Sequence, residues 1–146
     1  MLKLGKPDRI EMSKTVEEIL KEKGLSLTKA RKIILSFLIE NHGPFTAEEI
    51  YENLEINSCD LATVYRTLTV LKKEDIVLEA HFDKEFVRYE FNDPHHHHHH
   101  IVCNKCKKIE TIDGCLVDEF EDQITKMGYS NISHRIEFFG TCKDCS

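Results

Sequence analysis

Apolar residues recur at helical spacing through the first half of the chain. In "SKTVEEILKEKG" Val16, Ile19 and Leu20 fall on one stripe, Ser13 can cap, Glu17 sits in the first turn and Gly24 stops the run. "TKARKIILSFLIENHG" repeats the logic, with Thr28 as N-cap, Ile33, Ile34, Phe37 and Leu38 as the apolar face and Gly43 as terminator. "TAEEIYENL" is a short third helix in which Thr46 and Glu49 fit a capping box. After the turn "EINSC", the segment "DLATVYRTLTVLKKEDIV" is capped by Asp60 and turns Leu61, Val64, Leu68 and Leu71 to one side. The period then drops to two: "VLEAHF" and "FVRYEF", separated by "DKE", predict a hairpin.

Helices followed by a hairpin are the order of a winged helix, in which the last core helix enters the major groove and the hairpin lies along the backbone. The polar side of that helix carries Thr63, Arg66, Thr69 and Lys73, with Tyr65 toward its edge, all able to bond phosphates or base edges. On the hairpin, Lys84 and Arg88 become candidates for phosphate contact. The plainer reading is an unrelated helical domain with a solvated helix face.

"NDP" marks a break, and the pattern beyond it changes. "HHHHHHIVCNKCKKIETI" predicts strand, knuckle, strand; "LVDEFEDQITKMG" a helix closed by Gly128; "SNISHRIEFFGT" a last strand before "CKDCS". The fold class is therefore α+β, with a winged helix over 1–91, a hinge over 92–95 and a second α/β unit over 96–146.

Hydrophobic content of 40% with six Gly and three Pro fits a folded globular chain rather than a disordered one. The net charge of −6 is evenly split: residues 1–92 carry 14 Lys and Arg against 17 Asp and Glu, the remainder 6 against 9. Any nucleic-acid binding must therefore come from local clustering of cations. No apolar run approaches the roughly 20 residues that span a bilayer, and "MLKLGKPDRIEMSK" lacks the apolar core of a signal peptide, so a cytoplasmic protein without membrane contact is expected.

Reduced thiols are the rule in that compartment, so paired cysteines there point to metal before disulfide. Cys103/Cys106 and Cys142/Cys145 are two Cys-x-x-Cys knuckles, and four thiolates close a tetrahedral structural zinc site. The 35 residues between the pairs mean that the zinc fastens the end of the unit to its beginning. Cys59 and Cys115 stand alone and read as small buried hydrophobes. A six-histidine run suggests a purification tag, yet its flanks continue a strand pattern without linker residues. In an extended strand His96, His98 and His100 face one way and His95, His97 and His99 the other, so one strand can feed two metal sites. Glu90, Asp118, Glu119 and His134 are nearby candidates to complete them, and histidines mixed with carboxylates suit ferrous iron or manganese.

"LATVYRTL" on the fourth helix, "FTAEEIY" before it, a histidine-rich strand running into "HIVCNKCKKI" and a terminal Cys-x-x-Cys together resemble the ferric uptake regulator (Fur) family over nearly the whole chain. The resemblance implies a homodimeric, metal-dependent repressor that binds palindromic double-stranded operators, with a winged helix, a hinge and a dimerisation domain holding structural zinc. Tyr65 and Arg66 fall on the family's DNA-contacting "TVYR" stretch, and the four paired cysteines on its structural zinc ligands. Glu90, His98 and His100 match its hinge-side regulatory site, with His42 and Glu110 as further ligands, and His97, His99, Asp118 and His134 match a second site.

Departures from the family pattern are local. Pro44 stands where a histidine precedes "FTAE", leaving His42 two residues earlier; Thr111 stands where an acid is expected, with Glu110 beside it; His99 replaces a common Asp; Ser26 replaces a Lys. In this family Asp at the position of Glu90 accompanies peroxide sensing, so Glu90 favours ferrous iron as the regulatory metal, with zinc or manganese as the other candidates. Zinc sensing and peroxide sensing are the alternatives within the family. A histidine-rich metal buffer or delivery protein is the rival of another class, against which stands the "LATVYRTL" helix. An enzyme is not expected, because neither His-Glu-x-x-His nor a deaminase motif is present and four cysteines leave zinc no open position.

Overall fold

A computed structural model describes residues 14–82, 84–93, 99–112, 114 and 117–146. The first unit contains α1 (Val16–Glu22), α2 (Lys29–Glu40), α3 (Ala47–Asn53) and α4 (Leu61–Lys73), then the hairpin β1 (Val77–Ala80) and β2 (Arg88–Phe91). Four N-caps of the expected type start the helices: Thr15, Thr28, Thr46 and Asp60, with Thr15–Glu18 and Thr46–Glu49 closing full capping boxes. The first of these is Thr15 rather than Ser13, which lies outside the described residues. Helix α1 ends in a Schellman turn: Gly24 takes φ +67 and the Leu25 amide donates to the Leu20 carbonyl. Gly43 does not terminate α2. The helix stops at Glu40, where the backbone and side chain of Asn41 both donate to the Phe37 carbonyl. Gly43 instead leaves room for Phe45, whose ring would lie 3.1 Å from a Cβ there and packs edge-on against Phe37 at 5.0 Å.

The core of the unit is contiguous. Leu20, Ile34, Leu35, Leu38, Ala47, Ile50, Val64, Leu68, Leu71, Ile76 and Val77 are buried together, with Leu61, Cys59, Tyr89 and Phe91 half-buried against them. Phe45 and Tyr89 exchange both backbone hydrogen bonds, 2.9 and 2.7 Å, which sews β2 to the segment just before α3.

The second unit is a three-stranded sheet in the order β4-β3-β5, with β3 His99–Cys103, β4 Ile109–Ile112 and β5 Glu137–Gly140, and helix α5 (Asp118–Lys126) between β4 and β5. Strand β3 is antiparallel to β4 and parallel to β5, a pairing that requires a crossover, here carried by α5. Gly128, at φ +97, closes α5 as expected. The last strand is shorter than its alternating pattern, so His134 lies in the coil that leads into β5 rather than within it. Histidines 95–98 and Cys115 lie outside the described residues.

Candidate metal centres and nucleic-acid interface

Parallel pairing sets Cys103 opposite Gly140, so Cys142 arrives beside it two residues later. The sulfurs of Cys103, Cys106, Cys142 and Cys145 all lie within 4.8 Å of one another. A tetrahedral zinc with bonds of about 2.3 Å spaces its sulfurs about 3.8 Å apart, and Cys106 Sγ and Cys142 Sγ are 3.7 Å apart. The four residues fit zinc. Among the described residues this is the only set of three or more potential ligands gathered so closely. The amide of Cys142 donates to Cys103 Sγ at 3.4 Å. That contact, joined by the amides of Cys106 and Lys105, holds the Cys103 thiol down to about 6. Its neighbours move the other way. Cys145 is pushed up to about 12 by sharing hydrogen bonds first with Cys142 and then with Cys106. In Cys142 the contact with Cys145 lowers the pKa, but burial and the Cys103 and Cys106 sulfurs outweigh it and the net direction is upward. A cationic metal held by the four sulfurs would remove this competition by replacing the shared protons.

The histidine strand presents its two faces as alternation requires, and both are covered: His99 and His100 are 7% and 5% exposed. His100 turns toward the wing. Its Nε2 lies 3.2 Å from Glu90 Oε2 and its ring meets that of Phe82 edge-on at 5.6 Å. The buried Nε2 makes no hydrogen bond, because the carboxylate oxygen is close but out of line. Bond lengths of about 2.0–2.2 Å place neighbouring ligand atoms about 2.8 to 3.6 Å apart in octahedral or tetrahedral shells, so this pair suits a shared divalent ion. His98 lies outside the described residues. Glu110 pairs with Lys108 at 3.0 Å and stands opposite Ile101, while Thr111 stands opposite His100, so Glu110 is turned from the Glu90 side. His42 is exposed in the connection between α2 and α3.

On the other face of β3, the rings of His99 and His134 are 5.5 Å apart, and His134 Nδ1 lies 2.8 Å from Glu121 Oε1 on α5. Of the expected second set, His99 and His134 are thus together, His97 lies outside the described residues, and Asp118 begins α5 with its side chain likewise undescribed. Glu121 is a residue the sequence reasoning passed over. It stands one turn after Asp118 on the same helix face, a spacing that was legible.

On α4, Arg66, Thr69, Lys73 and Tyr65 are exposed, and Thr63 is half-buried. Several are already engaged. Arg66 Nη2 donates to Thr63 Oγ1 at 2.9 Å, Thr69 Oγ1 donates to the Tyr65 carbonyl at 2.9 Å, and the Tyr65 hydroxyl donates to Glu48 on α3. The Tyr65–Glu48 bond raises the tyrosine pKa and lowers that of the carboxyl. Lys84 is exposed on the wing, whereas Arg88 is turned inward, 18% exposed, with Nη1 donating to Glu49 Oε2 at 2.8 Å and to the Pro44 carbonyl at 3.4 Å. Glu48 and Glu49 are further residues that sequence reasoning read only as parts of a capped helix start.

Known proteins of the same build match this chain. The sequence profile of the Ferric uptake regulator family covers residues 22–139. The peroxide-responsive repressor PerR of Staphylococcus saprophyticus is 36% identical over 129 residues, 86% of each chain. The ferric uptake regulator Fur of Helicobacter pylori, described as having three functional metal-binding sites, superposes with a TM-score of 0.71 at 27% identity over 93% of this chain and 97% of its own. The Fur of Francisella tularensis, solved with iron, gives 0.65 at 28% identity over 84% and 95%. With the winged helix, the four-cysteine cluster and the wing-to-strand Glu90–His100 pair in place, the chain belongs to the ferric uptake regulator family of metal-responsive regulators.

Proposed function

We propose that this protein is a ferrous-iron-responsive repressor of iron-uptake genes that binds palindromic operator DNA as a homodimer in the cytoplasm. The observation that carries the reading is the Glu90–His100 pair, because it joins the wing of the DNA-binding unit to the central strand of the second unit through an oxygen and a nitrogen. A divalent metal bound there supplies a bond across the hinge that neither side chain can make alone. Glu90 and His100, with His98 as a third ligand and His42 in reserve, hold it; Thr63, Tyr65, Arg66, Thr69, Lys73 and Lys84 face the duplex. Fixing the hinge selects the arrangement in which two recognition helices match two half-sites. Tighter DNA binding must then be matched by tighter metal binding. Exposed Phe120, Met127, Tyr129, Phe138 and Phe139 on the second unit support dimerisation there. His99, His134 and Glu121, with His97 and Asp118, form the second metal site, and Cys103, Cys106, Cys142 and Cys145 retain structural zinc.

The similarity to PerR of S. saprophyticus favours a second reading, peroxide sensing through iron-catalysed oxidation of the histidines. One experiment separates the two. Duplexes selected from a random pool are titrated by anaerobic fluorescence anisotropy with ferrous iron, manganese or zinc, using protein that holds zinc only at its four cysteines. Iron-dependent binding that survives brief dilute peroxide supports iron sensing. Loss of binding with a 16 Da gain on the 95–100 peptide supports peroxide sensing, and binding indifferent to every metal rejects both.

A further inference from the structure

We propose that Arg88 is a positioning residue that couples the metal-binding strand to the recognition helix through Glu49, an inference that rests on the metal-dependent DNA binding proposed above. Three consecutive residues of β2 have three different attachments. Glu90 reaches His100 of the second unit at 3.2 Å. Tyr89 exchanges both backbone hydrogen bonds with Phe45, next to the N-cap of α3. Arg88, two residues from Glu90 and so on the same strand face, donates to Glu49 Oε2 at 2.8 Å and to the Pro44 carbonyl at 3.4 Å. The same Glu49 oxygen accepts the Thr46 amide at 2.8 Å and so caps α3. One residue earlier, Glu48 accepts the hydroxyl of Tyr65 on the recognition helix. The strand that carries a metal ligand is thereby tied at two points to the start of α3, at Phe45 before its N-cap and at Glu49 in its first turn, and that turn holds a side chain expected on DNA.

The alternative role for Arg88 is a direct phosphate contact, which its position on the wing suggests and its inward pairing opposes. Glu49, 43% exposed, keeps the Thr46 amide and solvent as partners once the guanidinium is removed, so R88A leaves the unit folded and changes how the two sites communicate. Coupling between sites is commonly on the order of 5–150-fold, and that ratio is what the experiment reads.

DNA affinity is measured with and without ferrous iron for the wild type, R88A, E49Q and the double variant, together with the iron affinity of the DNA-free proteins and the slope of log K against log salt. Gln at position 49 keeps a helix-capping side chain, so E49Q remains informative if R88A fails the circular-dichroism check for folding. The expected result is that both variants lose at least about five-fold of the iron enhancement, that the double variant is no worse than R88A, and that the salt slope and DNA-free iron affinity stay near wild type. The inference is overturned if R88A weakens binding equally with and without iron and flattens the salt slope by about one while E49Q is silent, or if both variants keep the full enhancement. A wild type with no iron enhancement overturns this inference together with the reading beneath it, whereas variant behaviour alone leaves that reading standing.

Discussion

Replacing Cys142 with Ser should unfold the second unit and spare the first. Eleven buried residues between Leu20 and Val77 form the core of the first unit, whereas in the second unit Val102 and Cys103 are the buried apolar residues among those described. Burying a valine side chain is worth about 1.5–3 kcal/mol. A structural zinc in a small unit contributes about 10–16 kcal/mol at neutral pH. Zinc is thus the larger stabiliser there, and with three thiolates its shell stands open. The assay is hydrogen exchange on C142S beside the wild type, with zinc content measured on the same samples. Amides of β3 and β5 should lose protection as zinc is lost, while α2 and α4 keep theirs and urea unfolding of the helical unit keeps its midpoint. If C142S loses its zinc and the amides of β3 and β5 exchange as slowly as in the wild type, the sheet stands on packing alone and the argument is wrong.

Other outcomes follow from the same geometry. Leu68, fully buried at the back of the recognition helix, should cost about 2–5 kcal/mol on truncation to Ala, read from the urea midpoint of the first unit. Zinc loading of the metal-free protein should release protons, because without zinc the second unit is unfolded and its four thiols return to the ordinary value of about 8.5. Thiols that are mostly protonated must give up their protons to zinc, so log affinity should climb by at least two per pH unit between about 7 and 8, and a climb of one or less, measured with a competing chelator, contradicts the assignment. Replacing exposed Phe120 and Phe139 with Lys should shift sedimentation equilibrium toward monomer while the zinc content holds; an unchanged dimer would place the interface elsewhere.

The sequence by itself determined the elements and their order, because those signals are local. Helix caps, the switch from a period of 3.6 to 2, and Cys-x-x-Cys knuckles act over a few residues, so Thr28, Thr46, Asp60, the hairpin and the four-cysteine cluster could all be read in advance. Where a local signal had rivals it misled: Gly43 was a plausible stop for α2, but Asn41 closes the last turn on the Phe37 carbonyl and Gly43 makes room for the Phe45 ring instead. Only tertiary structure decided which side chains meet across long separations. That His100 faces Glu90 while Glu110 faces away follows from strand register, where a shift of one residue exchanges the faces. Arg88 could be read as a wing cation from sequence. Its inward pairing with Glu49, 39 positions away, depends on β2 being sewn to Phe45. Cysteine spacing named the zinc ligands, but parallel pairing of β3 with β5 is what brings sulfurs from the two ends of the unit to one centre.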